Sequence, residues 1–358
     1  MITYTLKKIT YGILILWGVL TLVFFLFNVL PGDPARMMLD KREDSNQLAI
    51  IKHKYGFDRS LGEQYALYLN DVLPLSIHHN RTTAFTSLTN GKYQFKQLLS
   101  TTNYTLVFKV PYLRESFVRT GTPVMVILAD TFKNTFFLAL SSIVIALFLG
   151  LILGVLSALY KDTFIDKLIL FISVLGMSLP SFFASIIIAW VFGFVLNKYT
   201  GLNMIGSLYE VDDYGRGSFL QIKNLILPAI TLAIRPLSVI IQLCRNSLLE
   251  VLSMDYIRTA TAKGLSKFTV IFKHALKNAL NPVVTAVSGW FASMLAGAVF
   301  VEYIFAWNGI GKEIVDALNK MDLPVVMGSV LFIASTFVII NIIVDLIYGW
   351  LDPRIRLS

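Results

Sequence analysis

Residues 135–159 read TFFLALSSIVIALFLGLILGVLSAL, a run without one charged side chain. A helix rising 1.5 Å per residue crosses the roughly 30 Å hydrocarbon core of a bilayer in about 20 residues. This stretch is long enough to span. Five others pass the same test, near 9–30, 168–196, 224–249, 282–305 and 324–350. The bias runs through all 358 residues, which are 56% hydrophobic and 15% charged, whereas soluble domains run about 45–50% apolar and about 25% charged. So few polar groups cannot cover so apolar a core. A water-soluble enzyme, a disordered chain and a disulfide-stapled secreted domain are excluded, and the lone Cys244 excludes an internal disulfide. The run after Lys7-Lys8 is too long for a signal peptide and lacks a small-residue cleavage site, so it reads as a retained span.

The net charge of +9 would suggest nucleic acid in a soluble protein. Here it sets orientation. With the amino terminus inside, the cytoplasmic side holds twelve cations, among them Lys7, Lys8, Lys161, Lys167, Arg245 and those of residues 251–281. The two short outer loops hold five: Lys198, Arg216, Lys223, Lys312 and Lys320. Positive charge stays inside, so both termini are expected in the cytoplasm, with no nucleic-acid partner. The long segment 31–126 is then the one sizeable soluble part. Residues 33–55 have helical spacing, and Asn90-Gly91 between Phe85, Leu88 and Tyr93, Phe95 is a hairpin signal. A small α+β cap is expected there, with His78-His79 as a solvated loop pair.

Catalytic patterns are missing. Gly309-Ile310-Gly311-Lys312 lacks the first glycine of a phosphate loop and is followed by Glu313, so the chain itself is not expected to hydrolyse ATP. Residues 176–180, GMSLP, resemble a nucleophile elbow for three residues only and lie inside a span. The four histidines form no zinc pattern. No metal and no enzymatic activity are expected.

The segment 251–281, VLSMDYIRTATAKGLSKFTVIFKHALKNALN, carries Arg258, Lys263, Lys267, Lys273 and Lys277 against Asp255. Tyr256, Ala260, Leu265 and Phe268 fall at helical spacing on either side of Gly264. Two short amphipathic helices meeting at a glycine would make a compact knob. A basic loop lying on anionic lipid reads equally well.

This segment resembles the EAA loop of ATP-binding-cassette importer permeases. Ala260, Gly264 and Leu276 match that pattern, while Arg258, Thr259, His274 and Lys277 depart from it. The departures are similar to the oligopeptide/dipeptide permease branch, with its D-Y-[IV]-R-T-A-x-A-K-G-L and H-A-L-[RK]-N-A-L. Further likenesses are Leu30-Pro31-Gly32-Asp33-Pro34, Tyr55-Gly56-Phe57-Asp58, Ser116-Phe117 with Gly121-x-Pro123-Val124, and Ser178-Leu179-Pro180-Ser181. Val301-Glu302-x-x-Phe305-Ala306-Trp307 and Leu351-Asp352-Pro353-Arg354-Ile355-Arg356 complete the set. Residues 75–112 are the main departure.

The resemblance implies an all-α polytopic membrane protein of the bacterial inner membrane. Its six transmembrane helices would take the type I importer permease fold, with a small α+β extracytoplasmic insertion between the first two. The parts would be 1–30 for the tail and first helix, 31–126 for the insertion and 127–358 for the five-helix core. It implies a second, similar permease, two cytoplasmic ATPases that use ATP and Mg, and an extracytoplasmic solute-binding protein; this chain would bind no cofactor. By residue-wise carry-over, Asp255, Tyr256, Arg258, Thr259, Ala260, Lys263, Gly264 and Leu265 belong to the coupling helix that docks on an ATPase. Gly264 would supply the turn and Ala260 the close approach.

Within the spans, a central charge costs about 2.5–3.5 kcal/mol on insertion scales and marks function. Arg235, followed by Pro236, is such a charge; it could line the path and meet a carboxylate, or be buried in a pair. Arg245, Asp345 and Glu302 lie near span ends, where snorkelling or interfacial pairing accounts for them. Gly150, Gly154, Ala158 and Gly289, Ser293, Gly297 are two small-residue rows that let helices approach; the second could also line the path. Pro180, beside Ser178, must bend or break the third span, and interrupted helices mark substrate paths in transporters.

Two rivals differ in class. A secondary transporter would need coupling carboxylates at mid-depth and usually internal repeats, and the sequence offers neither. A membrane-anchored receptor or assembly subunit could use the outer cap, but would leave the basic glycine-centred segment on the opposite face without a role.

Overall fold

The computed structural model describes residues 2–29, 45–81, 84–88, 91–211, 217–296 and 298–351. The motif at 30–34, Asn90, Gly297 and the closing residues from Asp352 lie outside these. Among the described residues, four helices are long and apolar enough to cross a membrane: Leu6–Phe27, Val124–Leu159, Lys223–Leu252 and Leu323–Asp345. Counted as one span, the bent pair Phe164–Ser178 and Ser181–Val195, whose axes meet at 109°, makes a fifth.

That bend falls where the sequence puts it. Pro180 has no N–H to give and forces the residue before it out of the helical region. Leu179 (ψ 126°) and Pro180 (ψ 138°) are both extended. The expected span at 282–305 is not one helix. Asn281–Leu295 ends at Ala296, and Val299–Ile304 starts anew after Ala298 (φ −85°, ψ 55°). Apolarity over a window cannot distinguish one continuous helix from two joined ones.

The chain forms two compact units, one built on Thr131–Glu313 and the other on Lys7–Asp130 with Ile314–Ser335. In the first, the helix Lys223–Leu252 is the hub, packed by Phe164–Ser178, Ser181–Ile188, Asn281–Leu295 and Val299–Ile304. Glycines set the spacing against it. A Cβ on Gly150 would lie 2.6 Å from Ile240, and one on Gly154 would lie 2.7 Å from Cys244. The first small-residue row is therefore a packing surface. Ala146, Val155, Ala158, Ile240, Cys244 and Leu248 fill the core there.

In the second unit, helices Ser45–Tyr55 and Leu61–Val72 precede a three-stranded antiparallel sheet. Tyr104–Lys109 is its central strand, paired with Leu75–His79 on one side and Phe95–Ser100 on the other. The hairpin is thus Phe95–Ser100 with Tyr104–Lys109, not a pair of strands around Gly91. Residues 84–88 form no strand. His78 is fully buried rather than solvated, held by Ser76 Oγ at 2.9 Å and the Thr86 carbonyl at 2.8 Å.

The sheet is fastened to Leu61–Val72 through buried Asp71. Its carboxylate accepts from Tyr93 Oη at 2.8 Å and Arg114 Nε at 3.1 Å, and its backbone carbonyl accepts from Lys109 Nζ. Burial pushes the Lys109 ammonium down to about 8 against the pull of Asp71, and pushes Tyr68 up to about 12. The Ser116-Phe117 motif also finds a reason in this unit. Asp322, just before Leu323–Leu351, takes the Ser116 hydroxyl and the Phe117 N–H, the latter at 3.0 Å.

Candidate functional site

The glycine-centred segment folds as two helical pieces at a sharp corner. Met254 is extended (ψ 149°), and the helix Asp255–Ala262 starts after it. It ends in a Schellman closure: Gly264 N–H bonds the Thr261 carbonyl at 3.0 Å, and Leu265 N–H bonds Ala260 O at 3.4 Å. The closure needs φ +77° at position 264, which glycine adopts without a Cβ clash. Ser266 Oγ then caps the next helical run by accepting from Thr269 N–H at 3.3 Å. Lys267–Thr269, Val270–Ala275 and Leu276–Ala279 follow in succession, the middle piece wound wider than an α-helix.

Ile257, Ala260, Val270, Ala275 and Ala279 are buried in the same cluster as Leu248 and Val251. The corner is thus an extension of the core. Asn278 Nδ2 donates to Tyr256 Oη at 2.8 Å, tying its first helix to its last. Thr259 Oγ1 bonds Asp255 O at 3.0 Å, and Arg258 faces Asp255 at 3.5 Å on the surface. Lys263, Gly264 and Leu265 are exposed at the tip. Two aromatic residues join them, Phe268 (70% exposed) and Phe272, with ring centroids 4.5 Å apart. The corner is thus firmly based, and its exposed apolar side chains lie beside the exposed Lys263 and Lys267.

A cavity of about 290 Å³ opens in the same unit, against the middle of Lys223–Leu252. Arg235 and Ser293 both line it, with Leu179, Ser181, Trp290 and Phe300. Two residues singled out in sequence therefore meet in space. Ser178 and Pro180 sit at the helix break beside the lining Leu179 and Ser181 but are not lining residues themselves; the Ser178 hydroxyl returns to Val174 O at 2.8 Å. Gly289 is exposed one turn before Ser293, with nothing within 4 Å of where its Cβ would stand. Gly297 lies outside the described residues.

One functional-looking side chain is placed differently from the expectation. Glu302 is fully buried and does not snorkel. It accepts from Thr135 Oγ1 at 2.7 Å and from the N–H groups of Gly311 (2.6 Å) and Lys312 (3.2 Å), capping the helix Ile310–Asn319. Arg245 takes the pairing of the two readings expected for it: it grips Asp166, leaving exposures of 14% and 2% for the two side chains. The signal for Glu302 was its place in the Val301–Trp307 motif, whose Phe305 and Trp307 are also buried. Asp166 offered no such signal.

Apolar helices of spanning length, a broken helix and a central cavity with one cation define an integral membrane transport subunit. The comparisons name its kind. Residues 149–357 match the family described as binding-protein-dependent transport system inner membrane component. Residues 1–85 match the amino-terminal membrane component of such systems. The dipeptide transport system permease protein DppB of Alkalihalophilus pseudofirmus is 32% identical over 99% of this chain and 100% of its own length. The glutathione transport system permease protein GsiC of Salmonella paratyphi A is 31% identical over 99% of each. In fold, the chain is similar to the MetNI methionine ABC transporter in an inward-facing form, with TM-score 0.50 and 16% identity, covering 64% of this chain and 97% of that one. The chain belongs to the binding-protein-dependent transport system inner membrane component family and is a permease subunit of the type I importer fold.

Proposed function

We propose that this chain forms half of the translocation path of an ATP-driven importer for dipeptides, oligopeptides or similar small solutes. The meeting of Arg235 and Ser293 at one cavity beside the Pro180 break carries this reading. The relatives' names supply the cargo class: a dipeptide permease and a glutathione permease both match along nearly their full lengths. A second, similar permease completes the path, and an extracytoplasmic solute-binding protein delivers the ligand. Two cytoplasmic ATPases bind ATP and Mg, and this chain binds no cofactor.

Asp255–Ala262 with Gly264 and Leu265 is the coupling element on which the ATPases act. Its burial through Ile257 and Ala260 into the core lets a push at the tip reach Lys223–Leu252. Six spans follow if the bent pair and the stretch 281–304 each cross the inner membrane once. Both termini are then cytoplasmic, and the segment 31–126, which carries the sheet, is the extracytoplasmic insertion, facing the binding protein.

Purification of the chain from its native membrane should bring the second permease and both ATPases with it. In proteoliposomes, uptake of a labelled dipeptide should require ATP and loaded binding protein. Uptake driven by an ion gradient without ATP would overturn the reading in favour of a secondary transporter.

A further inference from the structure

Among the described residues that line it, the cavity in the core unit holds one cation and no group to neutralise it. Arg235 stands near the middle of Lys223–Leu252, and its side chain is exposed to the cavity it lines. Among the described residues it makes no hydrogen bond and no ion pair. The acids around this unit's core are engaged elsewhere. Glu302, next to the lining Val301, is held by Thr135, Gly311 and Lys312, and Asp166 is held by Arg245. The remaining lining is apolar or hydroxyl-bearing, with Trp290, Phe300 and Met294 beside Ser181 and Ser293, and it includes no acidic side chain.

A guanidinium carries its positive charge on a planar fork of N–H donors. With no counter-charge among the described residues that line the cavity, that fork matches a carboxylate with two parallel hydrogen bonds. The cavity volume is near the lower end of the range for small-molecule sites, about 300–1,000 Å³, so it suits a short solute. We infer that Arg235 is a specificity-determining residue that receives the carboxylate of the cargo as it crosses. Ser293 and Ser181 supply hydroxyls beside it, and Trp290 and Phe300 receive apolar side chains. The path thereby prefers cargo with a free carboxylate and disfavours cargo that carries only positive charge. This rests on the cavity being part of the translocation path proposed above.

The test uses the assembled transporter in proteoliposomes with loaded binding protein. Initial uptake of alanyl-alanine and of its C-terminal amide is measured for wild type, Arg235→Gln and Arg235→Lys, together with ATPase stimulation. Dividing each variant rate by the wild-type rate for the same cargo cancels the binding protein's own preference. Arg235→Gln should lower free-acid uptake about tenfold or more, as expected for loss of a charge-assisted pair, and amide uptake less than about twofold. ATPase stimulation should persist, and Arg235→Lys should restore part of the free-acid rate. A parallel fall for both cargoes, a loss of assembled complex, or unchanged uptake of both would overturn the inference. Absence of ATP-driven peptide uptake by the wild type would instead overturn the functional proposal beneath it.

Discussion

Arg245 and Asp166 are joined by two parallel hydrogen bonds, Nε to Oδ1 and Nη2 to Oδ2, each 2.7 Å long. The pair fastens the first turn of Phe164–Ser178 to the last third of the hub helix, 79 residues on. Ser157 Oγ and the Asp162 N–H use the carboxylate's remaining capacity. A buried pair with its lone pairs satisfied adds little over an apolar substitute, but removing one partner strands a charge. Asp166→Asn should therefore lower the stability of the purified complex by about 3 kcal/mol. The double change Asp166→Leu with Arg245→Met should recover most of that loss. Thermal unfolding of the three proteins measures it, and equal melting temperatures would show that the pair contributes nothing.

Gly264→Val tests the corner of the proposed coupling element. A β-branched residue at φ +77° costs about 1–2 kcal/mol of backbone strain and opens the Schellman closure. Membrane insertion should be unchanged, while uptake falls and the ATPases no longer respond to loaded binding protein. Arg258→Glu, a charge reversal on the exposed face, should act in the same direction without strain. Normal uptake by both variants would remove this segment from the coupling mechanism.

Glu302 makes a structural prediction. Its carboxyl caps Ile310–Asn319 and bonds Thr135, and a Cβ on Gly309 would overlap it. Glu302→Ala leaves two N–H groups and a hydroxyl without their acceptor, at about 2 kcal/mol or more. Gly309→Ala should weaken the same cap by displacing the carboxyl. Both should reduce the amount of monodisperse protein extracted from membranes, with Glu302→Gln intermediate. Full recovery of Glu302→Ala would mean that the cap is dispensable.

Lys109 predicts a pH dependence in the sheet unit. Its folded-state pKa of about 8 lies below the ordinary 10.5, chiefly through burial. Between those values the unfolded chain binds the extra proton, so stability rises as pH climbs from about 8 to about 9 and is lower below 8. Burial shifts Tyr68, Tyr93 and Tyr112 upward, so ionisation of these tyrosines in the unfolded chain lowers stability as pH approaches 10 and limits the Lys109 rise to the lower part of the window. Lys109→Met should flatten the curve between pH 8 and 10. Unfolding followed by a probe in the sheet reads it, and an identical slope in the variant would assign the dependence to another group.

Sequence by itself determined what depends on neighbours along the chain. Predominantly apolar runs mark the long helices 124–159, 223–252 and 323–351, because spanning a bilayer is a requirement on composition over about 20 residues. Pro180 marks the break in the third span, and Gly264 marks the corner, because each is a backbone property of one residue. The strand pairing was less legible: Asn90-Gly91 has the local chemistry of a hairpin, yet Phe95–Ser100 turns back at 101–103 to pair with Tyr104–Lys109, whose other edge accepts Leu75–His79. Pairing is chosen by what the neighbouring strands bury, which no short window contains.

Tertiary structure alone decided the contacts between distant residues. It brought Arg235 and Ser293 to one cavity, matched Arg245 with Asp166, and turned Glu302 inward onto Thr135 and Gly311. It also made a packing surface of Gly150 and Gly154 and left Gly289 open. A buried charge is stabilised only by the groups that surround it, and those groups arrive from elements far apart in sequence. Composition therefore announces that a charge in a span matters, and only packing says which partner answers it.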